Sequence, residues 1–314
     1  MASVDLLSLH PFLKKQTTEN NSGGIVHSYS HDHGSGVILC MVHGYPQSSY
    51  MWRHVVPLWK DKASLFIPEL PGYGISSAPP SPSKKEVGAI ILEALHASMK
   101  DGATRPIIWC SHDRGARVGH RVLAAQIPGS ENIKSAVFMD IVPTRECWRG
   151  FAHPAASVGY FHWPFLAQPN APEMIMAMGG DLFCQTIFDK SAGSSEQSKA
   201  KLYENNAVEH YKALFAKAET IRGSCADYRE GSVQESEEQE EDQKAGRKVK
   251  VPVLALYSAG NLGRAHDVTA SWRPYVDAEV QGFGIGDGVG HYLPESAPEV
   301  VSEHVLAWIE KTAL

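Results

Sequence analysis

Residues 106–119 read Pro-Ile-Ile-Trp-Cys-Ser-His-Asp-Arg-Gly-Ala-Arg-Val-Gly, an apolar run that passes directly into a helical pattern. The run at 106–110 predicts a buried strand. Asp113 stands between Ser111 and Gly115, and small residues at these two positions allow a sharp, strained turn from strand to helix. Such a turn pushes its central side chain out above the sheet, where a nucleophile would stand. Asp113 could also simply cap the following helix, so the motif alone leaves both interpretations open.

Apolar runs and helical patterns alternate along most of the chain. Strands are predicted at 36–42, 64–68, 106–110, 134–140 and 252–258, and helices at 86–100, from 114 to about 126, and at 296–312. This alternation predicts the α/β class, with a mostly parallel sheet covered on both faces. Ser296, with Glu299 three residues later, predicts a capping box at the start of the last helix. With the elbow at Asp113, the order predicts the α/β-hydrolase fold.

Residues 145–250 break this rhythm. The segment is rich in aromatic residues, Met and Pro at first, then becomes helical and polar, and no run in it predicts a buried strand. We therefore expect a helical lid at 145–250, inserted into a core formed by residues 1–144 and 251–314. The acidic run at 235–241 is typical of a solvated helix face or loop, and we assign it no function.

Composition excludes several classes of protein. A length of 314 residues suits one large core with an inserted lid, and a net charge of −6 without a long basic run argues against a nucleic-acid partner. The five scattered cysteines predict neither a disulfide framework nor a zinc site. The acidic residue Asp5 lies close to the start of the chain, so we expect no signal peptide. No run approaches the ~18 apolar residues of a membrane span, and we expect a cytoplasmic protein without a metal.

A base and its orienting acid are predicted downstream of Asp113. His291 follows the last predicted strand and precedes the final helix, which is where this fold carries its base. Two acids could orient it. Asp140 ends the strand at 134–140 and is favoured, because the end of a strand is aimed at the site, whereas Asp267 lies in a polar loop that is more often just solvated.

The loop at 43–46 (HGYP) follows a predicted strand and would supply an oxyanion hole. One backbone N–H would come from Tyr45 and the other from Arg114, the residue after the nucleophile. Attack by Asp113 on a carbon atom would give an alkyl ester, which water activated by His291 could then hydrolyse. This chemistry suits alkyl halides and epoxides, but not ordinary esters.

Eight short motifs are spread along the chain: HDRGARV (112–118), HGYPQ (43–47), MW (51–52), DIVPT (140–144), HWPFLAQP (162–169), DYR (227–229), GRK (246–248) and GHYLPE (290–295). With these motifs the sequence resembles a known family, the fluoroacetate (haloacetate) dehalogenases, over nearly its whole length. Ser111 departs from the family pattern, which usually has Gly there. A plain epoxide hydrolase more often has Trp at the position of Arg114.

The resemblance implies a hydrolase of small 2-haloacids, active without a metal or organic cofactor, and a homodimer. It implies that Asp113 is the nucleophile, His291 the base and Asp140 its acid. It also implies that Arg114 and Arg117 bind the carboxylate of a small anionic substrate. The side chains that would donate hydrogen bonds to the departing halide are His162, Trp163 and Tyr228.

Two alternatives stay open. The first is an epoxide hydrolase, in which two tyrosines protonate the opening oxygen. Tyr228 could be one of them, and Tyr160, Tyr203 or Tyr211 the other. The second is a ligand-binding protein with the same fold and little turnover. The presence of all three predicted catalytic residues, the nucleophile, the base and its acid, argues against it.

Overall fold

The computed structural model describes residues 5–21, 24–34, 36–286 and 288–312. Residues 1–4, to which the expectation about a signal peptide largely refers, lie outside the described part. In the described residues, eight strands form one sheet in the order β1-β2-β4-β3-β5-β6-β7-β8. The strands are β1 (Lys14–Glu19), β2 (Ile25–His31), β3 (Ile38–Val42), β4 (Ser64–Pro68), β5 (Ile107–His112), β6 (Ile133–Met139), β7 (Val253–Ser258) and β8 (Val280–Ile285).

The centre of the sheet is parallel and buried. β3, β4 and β5 are buried at every residue, as expected for parallel strands covered by helices on both faces. All pairs from β4 to β8 are parallel, whereas β1 pairs with β2, and β2 with β4, in antiparallel fashion. The five predicted strands and the α/β class are confirmed.

Three strands were not predicted, and they lie toward the two margins of the sheet. β1 reads KKQTTE and exposes most of its residues, β2 has several polar residues, and β8 contains two glycines. Strands near an edge need less apolar surface than central ones, so they carry a weaker hydrophobic pattern.

Helices cover both faces of the sheet and fill the stretch between β6 and β7. The α-helices of the described residues are α1 (Leu6–Leu9), α2 (Val56–Trp59), α3 (Lys84–Ser98), α4 (Arg114–Ala125), α5 (Thr144–Gly150), α6 (Pro154–Gly159), α7 (His162–Leu166), α8 (Ala171–Met178), α9 (Gly180–Ser191), α10 (Glu196–Tyr203), α11 (Ala207–Phe215), α12 (Ala218–Glu230), α13 (Val233–Ala245), α14 (Leu262–Ala265), α15 (Val268–Trp272), α16 (Leu293–Ser296) and α17 (Pro298–Thr312). Short 3₁₀-helices span Ser49–His54, Glu204–Asn206 and Arg273–Tyr275.

The stretch between β6 and β7 is helical from α5 to α13. This agrees in character with the expected lid, and the division at 145–250 remains our proposal. Among the described residues, no helix combines the length and apolar character needed to cross a membrane.

The predicted start of the last helix is wrong. Ser296 is the last residue of the short α16, and α17 begins at Pro298. The N–H of Ala297 bonds to the carbonyl of Leu293, which closes α16 rather than opening the next helix. Proline is favoured at the first helical position because its missing N–H would have no intrahelical partner there.

The acidic run is more than a solvated face. It lies on α13, and one side of this helix is buried: Glu235 is 2% exposed and Gln239 is 0% exposed. Asp242, one residue beyond the run, pairs with the buried Arg121 of α4. α13 therefore packs polar side chains against the core, which a sequence without apolar periodicity does not reveal.

Candidate active site

Asp113 occupies the turn between β5 and α4, and its backbone is strained. Its φ is 46° and its ψ is −112°, a combination that L-residues rarely adopt. Its N–H bonds to the carbonyl of Met139 at the end of β6, which anchors the turn to the sheet. Asp113 is 5% exposed and lies at the edge where the parallel strands end.

Two glycines allow this turn to form. A Cβ on Gly115 would lie 2.4 Å and 2.5 Å from the carbonyl oxygens of Val42 and His43. A Cβ on Gly44 would lie 2.5 Å from the Cβ of Asp113. Both contacts are shorter than real Cβ atoms tolerate, so glycine is required for β3, its loop and the elbow to meet.

His291 lies between two carboxylates. Its Nδ1 is 2.6 Å from Asp140 Oδ2, and its Nε2 is 3.7 Å from Asp113 Oδ2. Asp140 Oδ1 accepts two hydrogen bonds, from the N–H and the hydroxyl of Ser258, both at 2.7 Å. Asp267 instead caps α15 by accepting from the N–H of Ala270 at 2.9 Å. Of the two acids considered, Asp140 is therefore the one that contacts His291.

These contacts set the protonation of the pair. Burial disfavours the imidazolium, but the hydrogen bond and the charge of Asp140, together with Asp113, raise the pKa of His291 above its usual value. Burial disfavours the Asp113 carboxylate as well, yet the positive charges around it, foremost His291, lower its pKa below the usual value. Asp113 is thus ionised at neutral pH, as a nucleophile must be.

The loop after β3 approaches the carboxylate of Asp113. The N–H of Tyr45 donates to Asp113 Oδ1 at 2.9 Å. Arg114 is the first residue of α4, and N–H groups at a helix N-terminus lack intrahelical acceptors. Both N–H groups predicted for an oxyanion hole are therefore close to Asp113. That of Tyr45 contacts the carboxylate, and that of Arg114 belongs to the next residue in the chain.

A cavity of about 180 Å³ opens above Asp113. Of the residues predicted for the site, those that line it are Tyr45, Asp113, Arg117, Asp140, His162, Trp163, Tyr228 and His291. A larger cavity, of about 760 Å³, lies beside it between the loop after β4 and α12. The residues predicted for catalysis are thus concentrated in the smaller cavity.

The two arginines do not share the same surroundings. Arg117 lines the cavity above Asp113 and is 3% exposed, and its Nη1 donates to the carbonyl of Val142 at 3.1 Å. Arg114 lines the larger cavity, and its Nε donates to Asp227 Oδ2 at 2.5 Å. Lys84 Nζ lies 2.5 Å from the other oxygen of Asp227. The guanidinium of Arg114 is therefore already paired, whereas that of Arg117 is not paired with a carboxylate within 4.0 Å in the described chain.

The three predicted halide donors form one aromatic cluster. The ring of Tyr228 lies 6.0 Å from that of His162 and 5.8 Å from that of Trp163, measured between centroids. Burial lowers the pKa of His162 to about 3, so its imidazole is neutral and can donate one hydrogen bond. The Arg117 guanidinium lies over the Trp163 ring at 4.4 Å.

The four tyrosines considered for an epoxide hydrolase separate into two pairs. Tyr160 and Tyr228 line the cavity above Asp113. The hydroxyl of Tyr203 bonds to Asp189 at 3.0 Å, and that of Tyr211 bonds to Glu295 at 2.8 Å, away from that cavity. Tyr160 is thus the partner of Tyr228 that the structure offers.

Two supporting residues escaped the sequence analysis. Ser258 ends β7, the strand next to β6, so its position beside Asp140 could have been found from the order of parallel strands. His112 donates from Nε2 to the carbonyl of His291 at 2.9 Å, and burial lowers its pKa to about 4. It therefore holds the His291 loop as a neutral side chain.

Comparison with known proteins places this site in a family. Residues 37–158 match the family model of the alpha/beta hydrolase fold. A fluoroacetate dehalogenase from Burkholderia sp. is 31% identical over 247 residues, which cover 77% of each chain. The chain belongs to the fluoroacetate dehalogenase family of the α/β-hydrolase superfamily.

This dehalogenase-family chain is also similar to hydrolases of other kinds. A soluble epoxide hydrolase from Corynebacterium sp. (strain C12) is 24% identical over 280 residues, 87% of this chain and 90% of the relative. A solved structure classed as an α/β hydrolase, from Nostoc sp. PCC 7120, superposes with a TM-score of 0.82 at 28% identity, over 95% of this chain and 98% of the other. The fold prediction is confirmed, and the protein is a hydrolase.

Proposed function

We propose that the protein is a hydrolytic dehalogenase of small 2-haloacids that works through an ester of Asp113. The observation that carries the proposal is Arg117, a buried guanidinium that lines the same cavity as Asp113 and is not paired with a carboxylate within 4.0 Å in the described residues. A buried cation that no carboxylate pairs with directly is costly, and the carboxylate of a 2-haloacid would supply a direct partner. A substrate carboxylate held by Arg117 would also fix the α-carbon near Asp113.

In the first step, a carboxylate oxygen of Asp113 attacks the α-carbon, and the carbon–halogen bond breaks. The halide leaves with the electron pair of that bond. His162, Trp163 and Tyr228 would stabilise its charge, because indole, imidazole and phenol groups are preorganised donors in a closed cavity. The pKa of Tyr228 is raised well above its usual value by burial, so its hydroxyl keeps its proton.

In the second step, water attacks the Asp113 carboxyl carbon while His291 takes one of its protons. The N–H groups of Tyr45 and Arg114 would stabilise the tetrahedral oxyanion. As the intermediate collapses, protonated His291 returns its proton to the departing oxygen, and a 2-hydroxy acid is released. The Asp113 carboxyl group, which now carries one oxygen from water, loses its remaining proton to solvent and becomes a carboxylate again. The pairing of His291 with Asp140 favours the protonated imidazole that forms in this step.

The size of the cavity supports a small substrate. Its volume of about 180 Å³ is below the ~300–1,000 Å³ of pockets that hold drug-sized ligands. A two- or three-carbon acid fits this scale, whereas a long-chain substrate would need the cavity to open.

An epoxide is the second candidate substrate, and one observation favours it. Tyr160 and Tyr228 both line the cavity, and burial raises the pKa of each phenol, so both hydroxyls stay protonated. Two such donors could protonate the oxygen of an opening epoxide. An epoxide carries no charge for Arg117, which is why we rank it second.

The test is a halide-release assay with chloroacetate and fluoroacetate, run beside a diol assay with one epoxide such as styrene oxide. We expect halide release from at least chloroacetate, and loss of release in Asp113→Ala. Circular dichroism and a thermal melt confirm that each protein is folded. A folded wild type that releases no halide from either acid contradicts the proposal, and diol formation in the same preparation favours the epoxide hydrolase instead.

A further inference from the structure

We propose that Glu235, inside the acidic run of α13, is a positioning residue that holds Arg117 ready for the substrate carboxylate through the hydroxyl of Thr144. This inference rests on the proposed function, because it assigns a role to the side chain behind the carboxylate-binding arginine. It also gives the acidic run, for which the sequence suggested no task, a part in the site.

The connection is a chain of two hydrogen bonds. Arg117 Nη1 donates to Thr144 Oγ1 at 3.0 Å, and the Thr144 hydroxyl donates to Glu235 Oε1 at 2.6 Å. The three residues are 3%, 1% and 2% exposed, respectively. A hydroxyl has a single hydrogen, so donation to Glu235 fixes its rotation and turns its lone pairs toward the guanidinium. A bond to a carboxylate also polarises the hydroxyl and strengthens it as an acceptor.

Glu235 is itself held in place. Gln239 Nε2 donates to Glu235 Oε1 at 3.0 Å, and Gln239 Oε1 accepts from the N–H of Arg145 at 3.0 Å. These bonds tie α13 to the beginning of α5, the helix that carries Thr144. The second oxygen of Glu235, Oε2, is buried and forms no hydrogen bond within the described part of the chain. Burying a carboxylate oxygen without a hydrogen bond costs free energy, which argues for a role of Glu235 beyond helix packing.

The surroundings of the two arginines explain why Glu235 acts on Arg117 through Thr144 and not by direct contact. Arg114 is paired directly with Asp227, and this pairing uses its charge. Arg117 lacks a carboxylate within 4.0 Å among the described residues, and Thr144 separates it from Glu235. The intervening hydroxyl leaves the guanidinium available to an anion in the cavity, while the nearby negative charge offsets part of the cost of burying it.

This offset matters most in the middle of the reaction. Asp113 supplies a negative charge in the cavity of the free enzyme, and Arg117 contributes to lowering its pKa. When Asp113 becomes an ester, its negative charge is lost. Glu235 is then a fixed counter-charge behind Arg117 that does not change during turnover, so the arginine stays oriented toward the substrate carboxylate.

The experiment compares Glu235→Gln with Glu237→Gln, an identical change of charge at an exposed position of the same helix. Glutamine keeps the shape but removes the charge, and its amide can offer Thr144 a donor as well as an acceptor. The direction of the Thr144 hydroxyl, and with it the orientation of Arg117, is then no longer enforced. We expect KM for chloroacetate to rise about tenfold in Glu235→Gln, equivalent to about 1.4 kcal/mol of binding, with a much smaller change in kcat. The Glu237→Gln control should match the wild type.

Two further measurements separate positioning from a general loss of structure. Chloroacetamide has the shape of chloroacetate without its charge, so its KM should be unchanged in Glu235→Gln. Thr144→Val should show the same rise in KM for chloroacetate. Thr144→Ser keeps the hydroxyl, so its KM for chloroacetate should stay at the wild-type value. A destabilised fold would affect both substrates and would not be rescued by serine.

Binding of glycolate, followed by the change in tryptophan fluorescence to which Trp163 beside Arg117 contributes, supplies a readout that needs no turnover. A wild type that neither releases halide nor binds glycolate overturns the proposed function and this inference with it. A wild type that does both, with Glu235→Gln indistinguishable from Glu237→Gln, overturns the inference alone.

Discussion

Replacement of His291 by asparagine should stop the reaction half-way. His291 Nε2 lies 3.7 Å from Asp113 Oδ2 and is the group that would activate water, whereas ester formation needs only the Asp113 carboxylate. A general base contributes about 10²–10⁴ to a rate, so hydrolysis of the ester should slow by at least ~100-fold. Even if ester formation is about tenfold slower than hydrolysis in the wild type, a ~100-fold loss leaves about 90% of the enzyme as the ester.

Intact-mass spectrometry after incubation with chloroacetate measures this directly. We expect one carboxymethyl group per chain, mapped to Asp113 by peptide analysis, and a burst of one chloride per enzyme molecule followed by little further release. The matched control is the double variant His291→Asn with Asp113→Ala, which should show neither mass nor burst. If the wild type turns over and the single variant forms no adduct and no burst, the covalent route and the role of His291 are refuted.

Three other changes probe the same framework. Asp140→Asn should lower kcat by about 10²–10⁴ and move the acid limb of the kcat profile to lower pH, because ester hydrolysis needs neutral His291 and Asp140 raises the pKa of that imidazole. Asp227→Asn should destabilise the protein by ~3–5 kcal/mol in denaturant unfolding at pH 7, since it leaves the buried Arg114 without its partner. The pKa of Asp227 is depressed by its cationic neighbours, despite burial, so this contribution is present above the carboxyl's ordinary pKa and should fade as the pH falls below it. Gly115→Ala should cost at least ~1–3 kcal/mol in the same unfolding assay, because its Cβ meets two backbone oxygens at 2.4 Å and 2.5 Å.

The elbow and the strand ends were predictable because their signals are local. An apolar run, two small residues and an acid between them are enough to suggest the turn at Asp113. Asp140 ends one predicted strand and His291 comes after the last one, and the carboxyl ends of parallel strands meet at one edge of the sheet. The structure brings these three side chains together at that edge, and their chemical roles remain predictions that the variants above test.

The surroundings of the arginines were not predictable in this way. Asp227, the partner of Arg114, lies 113 residues further along the chain, on a helix whose packing the sequence does not specify. Glu235 belongs to a helix that is polar on every side, so no periodicity distinguishes its buried face from its exposed one. The buried face exists because α13 meets Thr144 and Arg121, polar groups that offer it hydrogen bonds and charge instead of apolar surface.

The choice between an acid and an epoxide as substrate is a question of charge more than of shape. Tyr160 and Tyr228 could serve a departing halide or an opening epoxide, because each offers only a phenolic proton. Arg117 differs, since burying a guanidinium costs several kcal/mol unless an anion compensates it. A neutral epoxide would leave that charge as it is in the free enzyme, whereas a substrate carboxylate would pair with it. Loss of the Arg117 charge should therefore weaken the binding of chloroacetate far more than the binding of any epoxide. An equal effect on the two substrates would remove the reason to prefer the acid.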